Sequence, residues 1–117
     1  MRTERIDDLA LLRFEANRAN AMSRAMLEWT RAALDETKGA RAVIVTGTPG
    51  HFSAGLDLPS LIDLDRAAMR DFIELFGDVM VRFHEWPAPV VAAMSGHAVA
   101  GGCILALQAD WRVIADG

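Results

Sequence analysis

The feature that most constrains this chain is a glycine-rich turn within PVVAAMSGHAVAGGCILALQADWRVIAD, from Pro89 to Asp116. Apolar, β-prone residues run to Met94, a short irregular piece follows, and Gly101-Gly102 opens a helical segment before a second strand. A helix start carries unpaired backbone N–H groups and partial positive charge, and glycine lets a ligand approach the main chain. The stretch therefore predicts a β-α-β unit whose turn either binds an anion or only relieves packing.

The composition indicates one globular domain. Of the 117 residues 52% are apolar, and 12 basic against 16 acidic residues give a net charge of −4, which suits a single hydrophobic core. Without a basic run, neither nucleic acid nor an anionic membrane is favoured as a partner. The single cysteine excludes an internal disulfide, and the N-terminus lacks the apolar core of a signal peptide, so a cytoplasmic location is expected.

The uncharged stretch from Trp86 to Gln108 is long enough to cross a bilayer, so a membrane span is an alternative. Two prolines, a Ser-Gly break and a double glycine divide it into a strand-length and a helix-length piece. The pattern favours a buried α/β element.

The rest of the chain reads as strands and amphipathic helices. Hydrophobic periodicity and turn residues predict a hairpin of 3–6 with 9–14, a helix over 24–37 capped by Ser23 and ended by Gly39, a strand over 42–46, and a helix over 65–86 stopped by Pro87. The β-branched run AVIVT at 42–46 is typical of a parallel sheet. The loop GTPGHFSAGLDL, from Gly47 to Leu58, has small side chains where a ligand can lie against the backbone, or it is an ordinary surface loop.

Three motifs resemble the crotonase superfamily of acyl-CoA enzymes: HFSAGLDL at 51–58, AMSGHAVAGGCILALQADWRVIAD at 93–116, and RANAMS at 18–23. The resemblance covers essentially the whole chain and is strongest to the 3,2-trans-enoyl-CoA isomerase branch, a pattern that related bacterial subfamilies share. It implies an α/β fold, the crotonase-like ββα superhelix (ClpP/crotonase fold), of which residues 1–117 form the N-terminal portion without the later turns and trimerisation helices. It also implies an acyl-CoA thioester substrate, no separate cofactor because coenzyme A is part of the substrate, and a homotrimer or dimer of trimers at full length.

The resemblance also assigns site residues. The backbone N–H groups of Leu56 and Gly101 are expected to form an oxyanion hole for the thioester carbonyl. Contacts with coenzyme A are expected from two loops and the glycine turn, at Arg18, Ala19, Ala54, Gly55, Leu56, Asp57, Leu58 and Gly101.

One departure from the family pattern bears on the reaction. Hydratases of the superfamily use two glutamates, and the first falls on Ile104, which cannot move a proton; the second is expected beyond Gly117. An isomerase needs a single proton carrier, so the sequence favours isomerisation of a 3-enoyl-CoA over hydration. A hydratase or other lyase, and an inactive acyl-CoA-binding module, are the alternatives. A fragment of a longer protein is favoured over a truncated gene product.

Other polar residues have simpler interpretations. His97, beside the glycine turn, is an alternative base, whereas His51 and His84 lack the spacing of metal ligands, and no metal is expected. Asp57 is expected to cap a helix, and Asp110 and Arg112 to form an ion pair. Cys103 is expected inside a buried helix, without a nucleophilic role.

Overall fold

The computed structural model describes residues 1–114, apart from the side chains of residues 17 and 18. Twelve elements follow one another within residues 1–114. They are β1 (Arg2–Ile6), β2 (Leu9–Arg13), α1 (Asn17–Asn20), α2 (Arg24–Glu36), β3 (Ala42–Thr46), β4 (Gly50–Ser53), α3 (Leu58–Leu61), α4 (Arg66–His84), β5 (Val90–Met94), β6 (Gly96–Ala98), α5 (Gly101–Gln108) and β7 (Trp111–Ile114).

The main sheet has five strands in the order β1-β2-β3-β5-β7. The predicted hairpin is confirmed: β1 and β2 pair antiparallel, and Asp7 adopts φ +55 in the turn between them. The other strands pair in parallel, and Val43 and Val45 of the central β3 are buried. This is the α/β arrangement that the β-branched run at 42–46 predicts.

A second, two-stranded sheet joins the two loops singled out in the sequence. Strands β4 and β6 pair in parallel, with His51 opposite His97 and Ser53 opposite Ala98. Both segments are predicted from the sequence as irregular backbone, and that prediction was wrong. The pairing holds the loop after β4 beside the turn before α5.

Helices α2 and α4 bury apolar faces in the core. The hydroxyl of Ser23 accepts a hydrogen bond from Met26 N at 3.2 Å, which confirms the predicted cap of α2, and Gly39 follows the helix with φ +89. Helix α4 begins after Asp65, whose carboxylate accepts from Ala68 N at 2.8 Å. Its buried residues are Phe72, Leu75, Val79, Met80 and Phe83.

The predicted ion pair between Asp110 and Arg112 was wrong. Asp110 Oδ2 accepts a hydrogen bond from Val90 N at 2.7 Å, and Arg112 Nη1 donates to the carbonyls of Ala106 and Ala109 at 3.3 and 3.0 Å. Each side chain therefore bonds main-chain groups, Asp110 at the start of β5 and Arg112 at the C-terminal end of α5.

The stretch from Trp86 to Gln108 forms two strands and a helix, and none of the helices within residues 1–114 is long and apolar enough to cross a membrane. The expectation that Cys103 is buried was wrong, because its side chain is exposed. Helix α5 is apolar apart from Gln108, yet only one side of it, which includes Leu105 and Ala106, is buried.

An ion pair between α2 and α4 predicts a pH-dependent contribution to stability. Arg82 Nη1 lies 2.7 Å from Asp35 Oδ1, and the hydrogen bond from Arg82 lowers the pKa of Asp35 below its ordinary value. A carboxylate with a lowered folded pKa stabilises the folded state above its unfolded pKa, and this contribution disappears as the pH falls through the folded pKa. We expect Arg82→Gln to lower the melting temperature at neutral pH and to have no effect in acid below that pKa.

Thermal unfolding followed by circular dichroism from neutral to acidic pH measures this difference. Arg70→Gln on the same helix is the control, because Arg70 forms no ion pair with any residue that the structure describes. A deficit of Arg82→Gln that persisted undiminished in acid would contradict the assignment to Asp35.

Candidate functional site

The loop after β4 is held against the chain that follows α1. Met22 N donates to the carbonyl of Gly55 at 2.6 Å, and Asp57 N donates to the carbonyl of Met22 at 2.9 Å, so the two segments form a short parallel bridge. Ala54 N also donates to the carbonyl of Ala19 at 3.0 Å. Main-chain bonds therefore fix the path of residues 54–57.

The same loop touches the turn that opens α5. Gly55 has φ +92, and a methyl group there would lie 2.8 Å from Val99 O and 2.9 Å from Gly101 N. A methyl group on Gly101 would lie 3.5 Å from Leu56 N. Since a Cβ lies about 2.5 Å from its own nitrogen, the amide nitrogens of Leu56 and Gly101 are at most about 6 Å apart.

In the part of the chain that the structure describes, these two amides have no acceptor, whereas their neighbours have one. Gly55 N donates to Ser53 Oγ at 3.2 Å and Gly102 N donates to Val99 O at 2.9 Å. Within residues 1–114, neither the N–H of Leu56 nor the N–H of Gly101 donates a hydrogen bond. Main-chain N–H groups in a folded protein normally have a partner, so this pair can bind an acceptor atom placed between the two loops.

The backbone at the start of α5 is strained. Ala100, the residue before the helix, has φ +50 and ψ −114, a region that non-glycine residues rarely occupy. This geometry turns the chain from β6 into α5. The N–H of Gly101 stands at the first position of the helix and adds to the positive end of its dipole.

An apolar cavity of about 780 Å³ adjoins the loop after β4. Its walls come from that loop, from α3 and from the first turn of α4, and are formed by Leu56, Leu58, Pro59, Leu61, Ile62 and Met69. The side chain of Leu56 thus lines the cavity while its N–H belongs to the pair of unpartnered amides. An acceptor atom attached to a long apolar chain suits both features.

The structure brings together most of the residues that the sequence predicts for the site. Residues 19, 54–58 and 101 come from three segments that contact one another through the bonds and close approaches described above. Asp57 occupies the predicted N-cap position of α3, but its carboxylate makes no capping hydrogen bond within residues 1–114; its carbonyl accepts from both the N–H and the hydroxyl of Ser60. The side chain of Arg18 lies outside the described residues, so its predicted contact with coenzyme A stays a prediction.

The histidines do not form a recognisable metal centre. His51 and His97 face each other across β4 and β6 with ring centroids 6.1 Å apart, and both are exposed. In the part of the chain that the structure describes, no group of three or more His, Cys, Asp or Glu side chains could hold a metal ion. The role of His97 as an alternative base stays a prediction.

Two buried polar residues of the site are not predicted from the sequence. Asn20 and Ser53 are each 0% exposed, and both make several hydrogen bonds between the loops. A lone asparagine or serine among small residues resembles an ordinary loop residue, because the bonds that join the loops, from Asn20 to Thr48 and from Ser53 to Asn20, span more than 25 residues of sequence.

The fold is that of a known class of solved structures. The chain superimposes on the structure titled as a probable enoyl-CoA hydratase, EchA3, from Mycobacterium tuberculosis with a TM-score of 0.88 and 30% identity, covering 95% of this chain and 48% of that one. The crotonase-type α/β fold predicted from the motifs is confirmed. The sequence also matches the family model for enoyl-CoA hydratase/isomerase over residues 4–117. The chain belongs to the enoyl-CoA hydratase/isomerase family.

The curated relatives include proteins named as hydratases and proteins named as isomerases. The chain is 38% identical over 112 residues to a protein of Mycobacterium avium named probable enoyl-CoA hydratase echA17, covering 92% of this chain and 43% of the relative. It is 31% identical over 112 residues to the human mitochondrial enoyl-CoA delta isomerase 1, covering 92% of this chain and 37% of the relative. The chain thus spans less than half of the length of these relatives.

Proposed function

We propose that the protein acts on an acyl-CoA thioester and shifts the double bond of a 3-enoyl-CoA to the 2-trans position. The observation that carries the proposal is the pair of unpartnered N–H groups, at Leu56 and Gly101, beside an apolar cavity. The thioester oxygen is the acceptor, and the acyl chain occupies the cavity. The neighbouring main chain at Ala19 and residues 54–58 contacts the coenzyme A part of the substrate.

The reaction places negative charge where the two amides can stabilise it. A base removes a proton from carbon 2, the electron pair moves onto the thioester oxygen, and the enolate collapses as carbon 4 takes up the proton. The oxygen is more negative in the transition state than in the substrate, so fixed donors lower the barrier. Loss of one such donor typically costs about 2.7–4 kcal/mol.

The residue at position 104 favours isomerisation over hydration. Syn addition of water needs one group to activate the water and another to handle the carbon-2 proton, whereas isomerisation needs one proton carrier. Ile104 stands where the resemblance places the first glutamate of hydratases, and it cannot carry a proton. The family pattern places the remaining glutamate beyond Gly117.

A hydratase is the second candidate, because one of the reported relatives is named as such. A form of the protein that includes the glutamate expected beyond Gly117 is incubated with a 3-enoyl-CoA and, separately, with a 2-enoyl-CoA, and ultraviolet absorbance distinguishes the two reactions. Isomerisation creates an absorbance, since the double bond becomes conjugated with the thioester carbonyl. Hydration of a 2-enoyl-CoA removes the same absorbance.

Calorimetric titration with a saturated acyl-CoA completes the test. Double-bond migration together with binding supports the isomerase. Binding without turnover of either substrate would contradict an enzymatic function and leave an acyl-CoA-binding module. Absence of binding by the folded protein would contradict the assignment of the site itself.

A further inference from the structure

We infer that Asn20 and Ser53 are positioning residues that fix the distance between the N–H groups of Leu56 and Gly101. The inference rests on the proposed function, because it concerns the same pair of donors. Neither side chain touches the cavity described above. Both act through the main chain of the loops that carry the donors.

The side chain of Asn20 holds β4 in place. It is completely buried, and its Nδ2 donates to Thr48 Oγ1 and to the carbonyl of His51, both at 3.1 Å. Its Oδ1 accepts from Ala16 N at 2.7 Å. A buried amide that bonds both the chain before α1 and the turn from Thr48 to His51 resists displacement of either segment, because each lost bond leaves a polar group unpaired.

Ser53 connects Asn20 to the two loops that carry the N–H groups of Leu56 and Gly101. Its hydroxyl donates to the carbonyl of Asn20 at 2.8 Å and accepts from Gly55 N at 3.2 Å, directly before Leu56. Its carbonyl accepts from Val99 N at 3.0 Å, two residues before Gly101. One buried residue is therefore bonded to the segments on both sides of the amide pair.

The contact between Ser53 and α5 is also tight. A methyl group on Gly102 would lie 2.3 Å from Ser53 O, so helix and strand touch main chain to main chain. A shift of Ser53 consequently moves both donors relative to each other. Misplacement of catalytic groups by about 1 Å can reduce the rate by about 100-fold.

The test compares Ser53→Ala with Thr37→Val, each made in a form of the protein that includes the glutamate expected beyond Gly117. Thr37 is likewise buried and its hydroxyl bonds Leu34 O at 3.1 Å, but it lies at the end of α2 and outside the site, so it controls for a lost buried hydroxyl. We expect Ser53→Ala to lower kcat for double-bond migration about 10- to 100-fold with little change in KM. Thr37→Val should leave both constants close to wild type.

A spectroscopic measurement separates positioning from a general loss of stability. Infrared difference spectra of a saturated acyl-CoA, labelled with carbon-13 at the thioester carbonyl, report how strongly the donors polarise that bond. The wild-type protein should lower the stretching frequency of the bound carbonyl, and Ser53→Ala should move it back towards the value in solution. Thr37→Val should retain the wild-type frequency.

Thr48→Val tests the same network should Ser53→Ala fail to fold, because it removes one acceptor of Asn20 at a half-buried position. Thr48→Val should also lower kcat and move the carbonyl frequency towards the value in solution, but by less than Ser53→Ala. A wild-type frequency and kcat in Ser53→Ala, or in Thr48→Val where that variant replaces it, would overturn the positioning role. A bound carbonyl without a frequency shift in the wild-type protein would instead contradict the proposed function.

Discussion

Gly55→Ala is expected to reduce the rate of the proposed double-bond migration by about 100-fold or more. The added methyl group would lie 2.9 Å from Gly101 N and 2.8 Å from Val99 O, and both are main-chain atoms that cannot rotate away. The two loops must therefore separate, and the N–H groups of Leu56 and Gly101 move apart. Steady-state kinetics with a 3-enoyl-CoA, in a form of the protein that includes the glutamate expected beyond Gly117, measures the loss, and thermal unfolding measures the accompanying change in stability.

Gly39→Ala is the matched control for the backbone conformation of Gly55. Gly39 has φ +89 against +92 for Gly55, but nothing lies within 4 Å of a methyl group at position 39. Both variants therefore carry the strain of a positive φ, of the order of 1–2 kcal/mol, and only Gly55→Ala adds the clash. Equal activities of the two variants would show that the contact between the loops has no influence on the rate.

Phe52→Ala is expected to lower the free energy of unfolding by about 3–5 kcal/mol. Phe52 lies in β4, is 0% exposed, and packs edge-to-face against Phe14 with ring centroids 6.1 Å apart. Truncation removes the buried ring and leaves a cavity between the small sheet and the main core. Urea unfolding monitored by tryptophan fluorescence and circular dichroism measures the change.

Ile73→Ala on α4 serves as the comparison, because Ile73 is 48% exposed and its truncation should change stability by about 0.5 kcal/mol or less. A much larger loss of unfolding free energy for Phe52→Ala than for Ile73→Ala would show that buried packing, and not exposed contacts, provides the stability. A loss below about 1 kcal/mol for Phe52→Ala would contradict the burial of β4 and, with it, the support of the loop that follows.

Elements with a regular hydrophobic pattern could be predicted from the sequence. The helical spacing of Phe72, Val79 and Phe83 indicates α4, and all three are buried. The run at 42–46 indicates a buried strand, and Ser23 indicates the start of α2. These predictions succeed because each pattern lies within a short stretch of sequence, where the intrinsic preference of the residues and their burial indicate the same structure.

The small sheet could not be predicted in the same way. Residues 50–53 and 96–98 are short and contain glycine and histidine, and each becomes a strand only through the other, more than forty residues away. The exposure of Cys103 was missed for a related reason: an apolar helix predicts burial but not which side of it is covered. The backbone partners of Asp110 and Arg112 likewise depend on where separate elements end.

The main chain and the side chain of Leu56 have different proposed roles. Every amino acid except proline carries the same peptide N–H, so substitution at this position leaves the proposed charge-stabilising group in place. The side chain, in contrast, forms part of the cavity wall and can change its size and shape. Under the proposed function, substitutions at this position can thus alter which acyl groups are accepted, one at a time, while the group that stabilises the thioester oxygen stays the same.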